Sequence, residues 1–168
     1  LLDGQELSSL RPTSIRREVA AVHQDVHLFP DTVRFNVTLG NAEIGDALLE
    51  EIAALVHVRP IVEGLKEGWE HPIREGGQNL SSGEGQLLTF ARTLAHGSRI
   101  IILDEATASV DSMTEALIQD AIARILERKT VIVIAHRLST ISQSDRIVVR
   151  SEERRVGKEC RSRWSPNH

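Results

Sequence analysis

Two adjacent carboxylates, Asp104 and Glu105, follow at once on four apolar residues, 100–103. Four apolar residues without a period-two alternation are too few for an ordinary helix, and they predict a strand buried on both faces of a parallel sheet. Ligands of an open parallel sheet sit at the carboxyl ends of its strands. An acid pair there can divide its labour between holding a metal and handling a proton. The same string also serves as a strand leaving the core through two solvated acids, so its neighbours decide its chemistry.

A second stretch, residues 80–86, reads Leu-Ser-Ser-Gly-Glu-Gly-Gln and runs directly into a helical pattern at Leu87, Leu88, Ala91, Leu94 and Ala95. Ser81 and Glu84 have the spacing of a capping box, and the small residues leave first-turn amide hydrogens open to an approaching anion. A well-capped helix without a ligand has the same composition. A third group is His136, just after the apolar run 130–134. His23 and His27 stand four apart as a nominal metal pair, but Pro30 close by predicts an exposed, irregular loop.

The elements that must position these residues are legible in part. Residues 7–17 predict a short helical turn and 19–22 a short strand. Thr32 is placed to cap a segment over 33–39. After a break at 40–45, Ala47, Leu48, Ile52, Leu55 and Val56 recur at helical spacing and open a mostly helical insertion to about residue 78. Its second half is made irregular by Gly64, Gly68, Pro72, Gly76 and Gly77. Ser112 and Glu115 predict a capping box ahead of a helix with a stripe at Leu117, Ile118, Ala121, Ile122, Ile125 and Leu126. Residues 130–134 predict a second all-apolar strand, 138–141 a short helix and 146–149 a last strand. Strand, helix, strand, helix, strand from residue 100 onward is the pattern of a layered α/β domain with right-handed crossovers.

The 168 residues suffice for one domain with a sizeable core, and 40% are hydrophobic, as in an ordinary globular protein. A net charge of −4 argues against generic nucleic-acid binding, which wants a basic face. The one cysteine, Cys160, has no internal disulfide partner, which fits a reducing compartment. No stretch approaches the ~20 apolar residues that span a bilayer. The chain opens without an initiator Met, on an Asp3-Gly4 turn after two leucines, and the expectation is an amino-terminal truncation. From Ser151 the sequence has little apolar content and no period, which predicts a disordered, non-native tail over 151–168.

Taken together, Leu-Ser-Ser-Gly-Glu at 80–84, Ile-Ile-Ile-Leu-Asp-Glu at 100–105, Ser-Val-Asp at 109–111 and Ile-Ala-His-Arg-Leu-Ser-Thr at 134–140 resemble, in order and spacing, the nucleotide-binding domain of ABC transporters. The resemblance covers residue 1 to about residue 150. Val-His-Gln-Asp-Val-His-Leu-Phe at 22–29 and Glu-Gly-Gly-Gln-Asn-Leu at 75–80 look like the exporter forms, where these loops face coupling helices. It implies a P-loop NTPase-like layered sheet with a helical signature subdomain at about 41–96.

The resemblance also implies roles. Asp104 looks like the Walker B aspartate that orients Mg²⁺ through its water shell, and Glu105 like the carboxylate that polarises the attacking water. His136 resembles the switch histidine at the γ-phosphate. Gln24 resembles the glutamine-loop residue near Mg²⁺ and the water, linking catalysis to the membrane domain. Ser81, Ser82, Gly83 and Glu84 look like the signature that closes over ATP held by the opposite subunit, and Asp111 like the D-loop aspartate at the dimer interface. The implied partners are ATP, a second ATPase domain arranged head to tail, and an exporter's transmembrane domain, which would hold this chain at the cytoplasmic face of the membrane.

Two features depart from the pattern. Ser82 replaces the commoner Gly and Glu84 the commoner Gln of the signature. No Gly-x-x-x-x-Gly-Lys-Ser/Thr occurs in the sequence, and there is no Tyr. The half of the site that grips β- and γ-phosphates is therefore expected to be missing, and the fragment alone to be inactive. A soluble ATPase of DNA repair or chromosome organisation is the alternative; it wants a long coiled coil, for which residues 24 to 81 leave no room. A binding-only module is a further one, against which Glu105 and His136 stand, since a dead site has no chemical need of either.

Overall fold

Central to the fold are three parallel strands in the order β1 (Val19–Val22), β2 (Ile100–Asp104) and β3 (Thr130–Ile134). The structure is a computed structural model that describes residues 2, 4–23, 26–104, 111–134 and 144–149. Strand register sets Val22 beside Leu103 and Asp104 beside Ile134. All three strands therefore end at one edge of the sheet, a geometry that only crossover connections permit.

Those crossovers are helical. Before β1 the chain forms a 3-10 turn, Leu7–Ser9, and α1 (Pro12–Glu18), with proline at the first helical position, where its missing N–H costs nothing. The expected single turn over 7–17 is thus two elements. Between β1 and β2 come α2 (Val33–Thr38), α3 (Asp46–Leu55), α4 (Arg59–Gly64), two further 3-10 turns and α5 (Ser82–Ala95). Thr32 caps α2 as expected, its side chain accepting the Phe35 N–H at 3.0 Å. On α3 the buried face is Leu49, Ile52 and Ala53. Leu48, which the apolar spacing placed inside, is instead 39% exposed. Leu48 and Leu49 flank the stripe led by Ile52, at i,i+4 and i,i+3, and the buried arc centres on Leu49, Ile52 and Ala53, which leaves Leu48 at its margin.

Between β2 and β3 lies α6 (Ser112–Leu126), whose buried residues Ile118, Ala121, Ile122 and Ile125 are members of the expected stripe. Its cap corrects the expected Ser112–Glu115 box. Ser112 is already helical, and Asp111 is the cap, its carboxylate accepting the N–H groups of Met113 (3.1 Å) and Thr114 (3.0 Å). Both residues are good caps, and Asp111 has the extended backbone a cap requires.

One continuous core joins these elements, with α5 at its centre. Leu87, Leu88, Phe90 and Ala91 share this core with Val33 and Val37 of α2, Leu49 and Ile52 of α3, Ile101 and Leu103 of β2 and Ile118 of α6. A hydrogen bond of 2.5 Å from His57, in the α3–α4 turn, to Asp120 adds a polar tie to α6.

Leu1–Ile134 forms one compact unit and Ala135–His168 another. In the second, residues 146–149 take no strand, contrary to expectation, and Val148 and Val149 are exposed. Among the described residues Ile147, Val148 and Val149 have no pairing partner, and three apolar residues do not make a strand on their own. The expected helix over 138–141 and the tail over 151–168 lie outside the described residues.

Candidate nucleotide site

Asp104 is the last residue of the central strand, half-buried at the edge where all three strands end. Gln24 follows the end of β1 by two residues, Glu105 follows β2 directly, and His136 follows β3 by two. These three lie outside the described residues. The strand ends that precede them are fixed by the register, which puts the chain's three exits from the sheet side by side. The chemistry of Asp104, an oxygen donor at such an edge, fits a hard divalent cation such as Mg²⁺. Among the described residues no group of three His, Cys, Asp or Glu side chains converges.

The signature stretch is built as its sequence predicts. Ser81 Oγ accepts the Glu84 N–H at 3.2 Å, and the Glu84 carboxylate accepts the Ser81 N–H at 2.7 Å. This box satisfies two of the donors at the start of α5. The amides of Ser82 and Gly83 have no intrahelical acceptor, as first-turn geometry requires, and they fit an anion brought to that end. No hydrogen bond or ion pair among the described residues joins residues 81–84 to Asp104 or Asp111. The candidate residues thus fall into separate groups: the sheet edge, the start of α5 and the start of α6. Asp111 spends its carboxylate on the α6 cap. The Thr114 side chain, then the Thr114 and Met113 amides, hold its pKa below the usual carboxylate range.

What the sequence reading missed is the support behind the signature. Residues 26–29 lie against α5 at two places. A Cβ on Gly85 would stand 3.0 Å from Val26 Cγ1, so the first turn of α5 approaches this loop closely. Further along, the Arg92 guanidinium donates to the His27 carbonyl (3.0 Å), the Asn36 carbonyl (2.6 Å) and Asn36 Oδ1 (3.1 Å). Asn36 is fully buried, and it also accepts the Phe29 N–H and donates to the Phe29 and Thr32 carbonyls. An Asn in the middle of a six-residue helix, between Phe35 and Val37, was the one available signal, because it is a poor helix former. His23 and His27, the nominal metal pair, are both exposed.

A parallel sheet with a carboxylate at its shared edge and a capped, glycine-bearing helix start define an α/β domain of the P-loop NTPase-like class. Comparison with known proteins narrows this. The profile of the family described as ABC transporter matches residues 1–108. The chain is 40% identical over 151 residues to ATP-binding cassette sub-family B member 6 of Xenopus tropicalis, covering 90% of this chain and 18% of that protein. It is 43% identical over 157 residues to the ATP-dependent lipid A-core flippase of Cupriavidus metallidurans, covering 92% of this chain and 26% of that protein. A solved bacterial Atm1-family ABC exporter with ATP bound superposes with a TM-score of 0.75 at 36% identity, over 86% of this chain and 25% of that one. This chain belongs to the ABC transporter family. It spans about a quarter or less of the length of the curated relatives it matches.

Proposed function

We propose that this chain is part of the ATPase domain of an ABC exporter, working at the cytoplasmic face of a membrane beside a transmembrane domain and pairing head to tail with a second ATPase domain. The observation that carries the reading is the shared sheet edge. The register brings three strand ends together, and within two residues of them in the sequence come Gln24, Glu105 and His136, with Asp104 at the end of the middle strand. Residues 1–150 are the partial ATPase domain, with its helical subdomain at about 41–96, and residues 151–168 are a tail that takes no part in folding.

In this reading Glu105 accepts the proton of the attacking water, and His136 steadies the transferring γ-phosphoryl group. Gln24 orients the water and reports its state to the membrane domain. Asp104 and Gln24 would hold Mg²⁺, which would supply charge neutralisation at the phosphates. Ser81, Ser82, Gly83 and Glu84 present the start of α5 to ATP bound by the opposite subunit, and Asp111 lies at the dimer interface. The sequence has no glycine-rich phosphate loop with its lysine. Phosphoryl transfer depends on positioning, so residues 1–168 alone bind ATP weakly at most and hydrolyse none above background.

The test compares this chain, the full-length protein to which it belongs, and that protein carrying Glu105→Gln. The full-length protein hydrolyses ATP with Mg²⁺, and Glu105→Gln cuts turnover by about 10²-fold or more while ATP binding persists. Robust turnover by residues 1–168, or undiminished turnover by the variant, puts the chemistry on other residues.

A further inference from the structure

Among the described residues Arg92 is a cation without a carboxylate partner. Its acceptors are two main-chain carbonyls and an amide oxygen, and the ring of Phe29 lies 5.6 Å from its guanidinium carbon. No ion pair to Arg92 occurs among the described residues. Removing a cation from water without a counter-charge is costly, so net stability alone is a poor reason for this arrangement. The guanidinium differs from an ammonium in offering a rigid fork of donors, which reads the positions of several acceptors at once. Here the acceptors belong to two different segments, the loop at His27 and α2 at Asn36, while the donor belongs to α5.

Asn36 completes the arrangement by binding both the N–H and the carbonyl of Phe29. At the other end of the loop, Val26 Cγ1 would be 3.0 Å from a Cβ on Gly85, and Leu28 Cδ1 would be 2.9 Å from one on Gly77. Residues 26–29 are therefore held both at the first turn of α5, where the signature lies, and at its third turn, where Arg92 lies. We propose that Arg92 is a positioning residue. Its fork fastens residues 27–29 to α5, so that the loop following Gln24 and the signature end of the helix are carried as one piece. This rests on the exporter ATPase reading and names a means by which the loop after Gln24 and the signature keep a fixed relation. A shift of the loop moves residues 81–84 with it, and closure at residues 81–84 moves the loop.

The test uses the full-length protein with Arg92→Lys, which keeps the charge and loses the fork. Expected is a fall in kcat of about tenfold or more, the scale of a misplaced reacting group, with KM for ATP changed less than about twofold. Turnover is normalised to folded protein, and the unfolding midpoint is measured in parallel. A lowered midpoint with unchanged kcat per folded molecule overturns the proposal, because it leaves Arg92 a purely structural role. A second measurement needs no variant. In the unaltered protein, amide hydrogen exchange at Phe29 and at residues 85–88 is expected to report one shared opening, with the same protection and the same response to ATP. Exchange at Phe29 through an opening that leaves residues 85–88 protected overturns the proposal equally. Glu105→Gln is run beside these: if it leaves turnover intact, the ATPase assignment itself fails, whereas a silenced Glu105→Gln with a normal Arg92→Lys rejects the Arg92 role alone.

Discussion

The start of α5 and the edge of β3 both lie in one compact unit, yet they differ in how far the chain surrounds them. Around α5, Leu87, Leu88, Phe90 and Ala91 are buried, and the polar groups of Ser81, Glu84, Arg92 and Asn36 are engaged in hydrogen bonds. On β3, Val131 and Val133 join the core, whereas Ile132 and Ile134 on the opposite face are 55% and 51% exposed. A helix needs cover along one stripe, which segments between β1 and β2 supply. A parallel strand is normally covered on both faces, and the described residues cover only one of them here. The helix that carries the signature is therefore packed along its buried stripe, while among the described residues one face of β3 is left open.

The largest effect expected from this contrast is at Phe90, 1% exposed at the middle of α5. Phe90→Ala is expected to lower stability by about 3–5 kcal/mol, read from denaturant unfolding. A loss under about 1 kcal/mol means that the packing around α5 is loose and the contrast disappears. Next comes Gly77, whose φ of +75° disfavours any side chain and whose added Cβ would meet Leu28 Cδ1 at 2.9 Å. Gly77→Ala is expected to cost about 1–3 kcal/mol from backbone strain and displacement of Leu28. An unaltered midpoint shows that residues 26–29 are not pressed onto this turn.

A smaller effect tests the Arg92 region by pH. Burial, and then the charge of Arg92, depress the pKa of His96 below its ordinary value, against a hydrogen bond to the Val37 backbone. With the folded pKa below the unfolded one, the unfolded chain binds more protons in the interval between them, so stability rises with pH there. Acidification from about pH 7.5 to 5.5 is thus expected to lower the unfolding midpoint, and His96→Asn to flatten part of that slope. Identical slopes for the two proteins place His96 away from the Arg92 charge. The smallest effect belongs to the open flank, where Ile132→Thr is expected to change the stability of this chain by no more than about 0.5 kcal/mol, since it removes little buried surface and keeps a β-branched residue. A large loss means that the Ile132 face is covered after all.

Features set by neighbours a few residues apart were legible in the chain. The Thr32 cap and the Ser81–Glu84 box each need partners only three residues away, so the same pattern that predicts them also forms them. At the start of α6 two good caps are adjacent, and spacing could not choose between Asp111 and Ser112. The Leu48 error has a similar origin: a stripe of alternating neighbours tolerates a shift by one residue until the core shows which side faces inward.

By itself the sequence determined the strand before Asp104, the capped helix after Leu80 and the order of motifs that marks the family, because strand and cap patterns are local and the motif order lies along the chain, whereas the burial of that strand on both faces was not met, Ile100 and Ile102 being only half-buried. Only the tertiary structure decided that Val22, Leu103 and the Asp104–Ile134 pair lie at one sheet edge, and that Arg92 reaches His27 and Asn36. Strand register depends on which apolar faces find cover in the same core. The reach of Arg92 depends on where α5 lies against α2, and segments 56 residues apart in the chain carry no local pattern that states it.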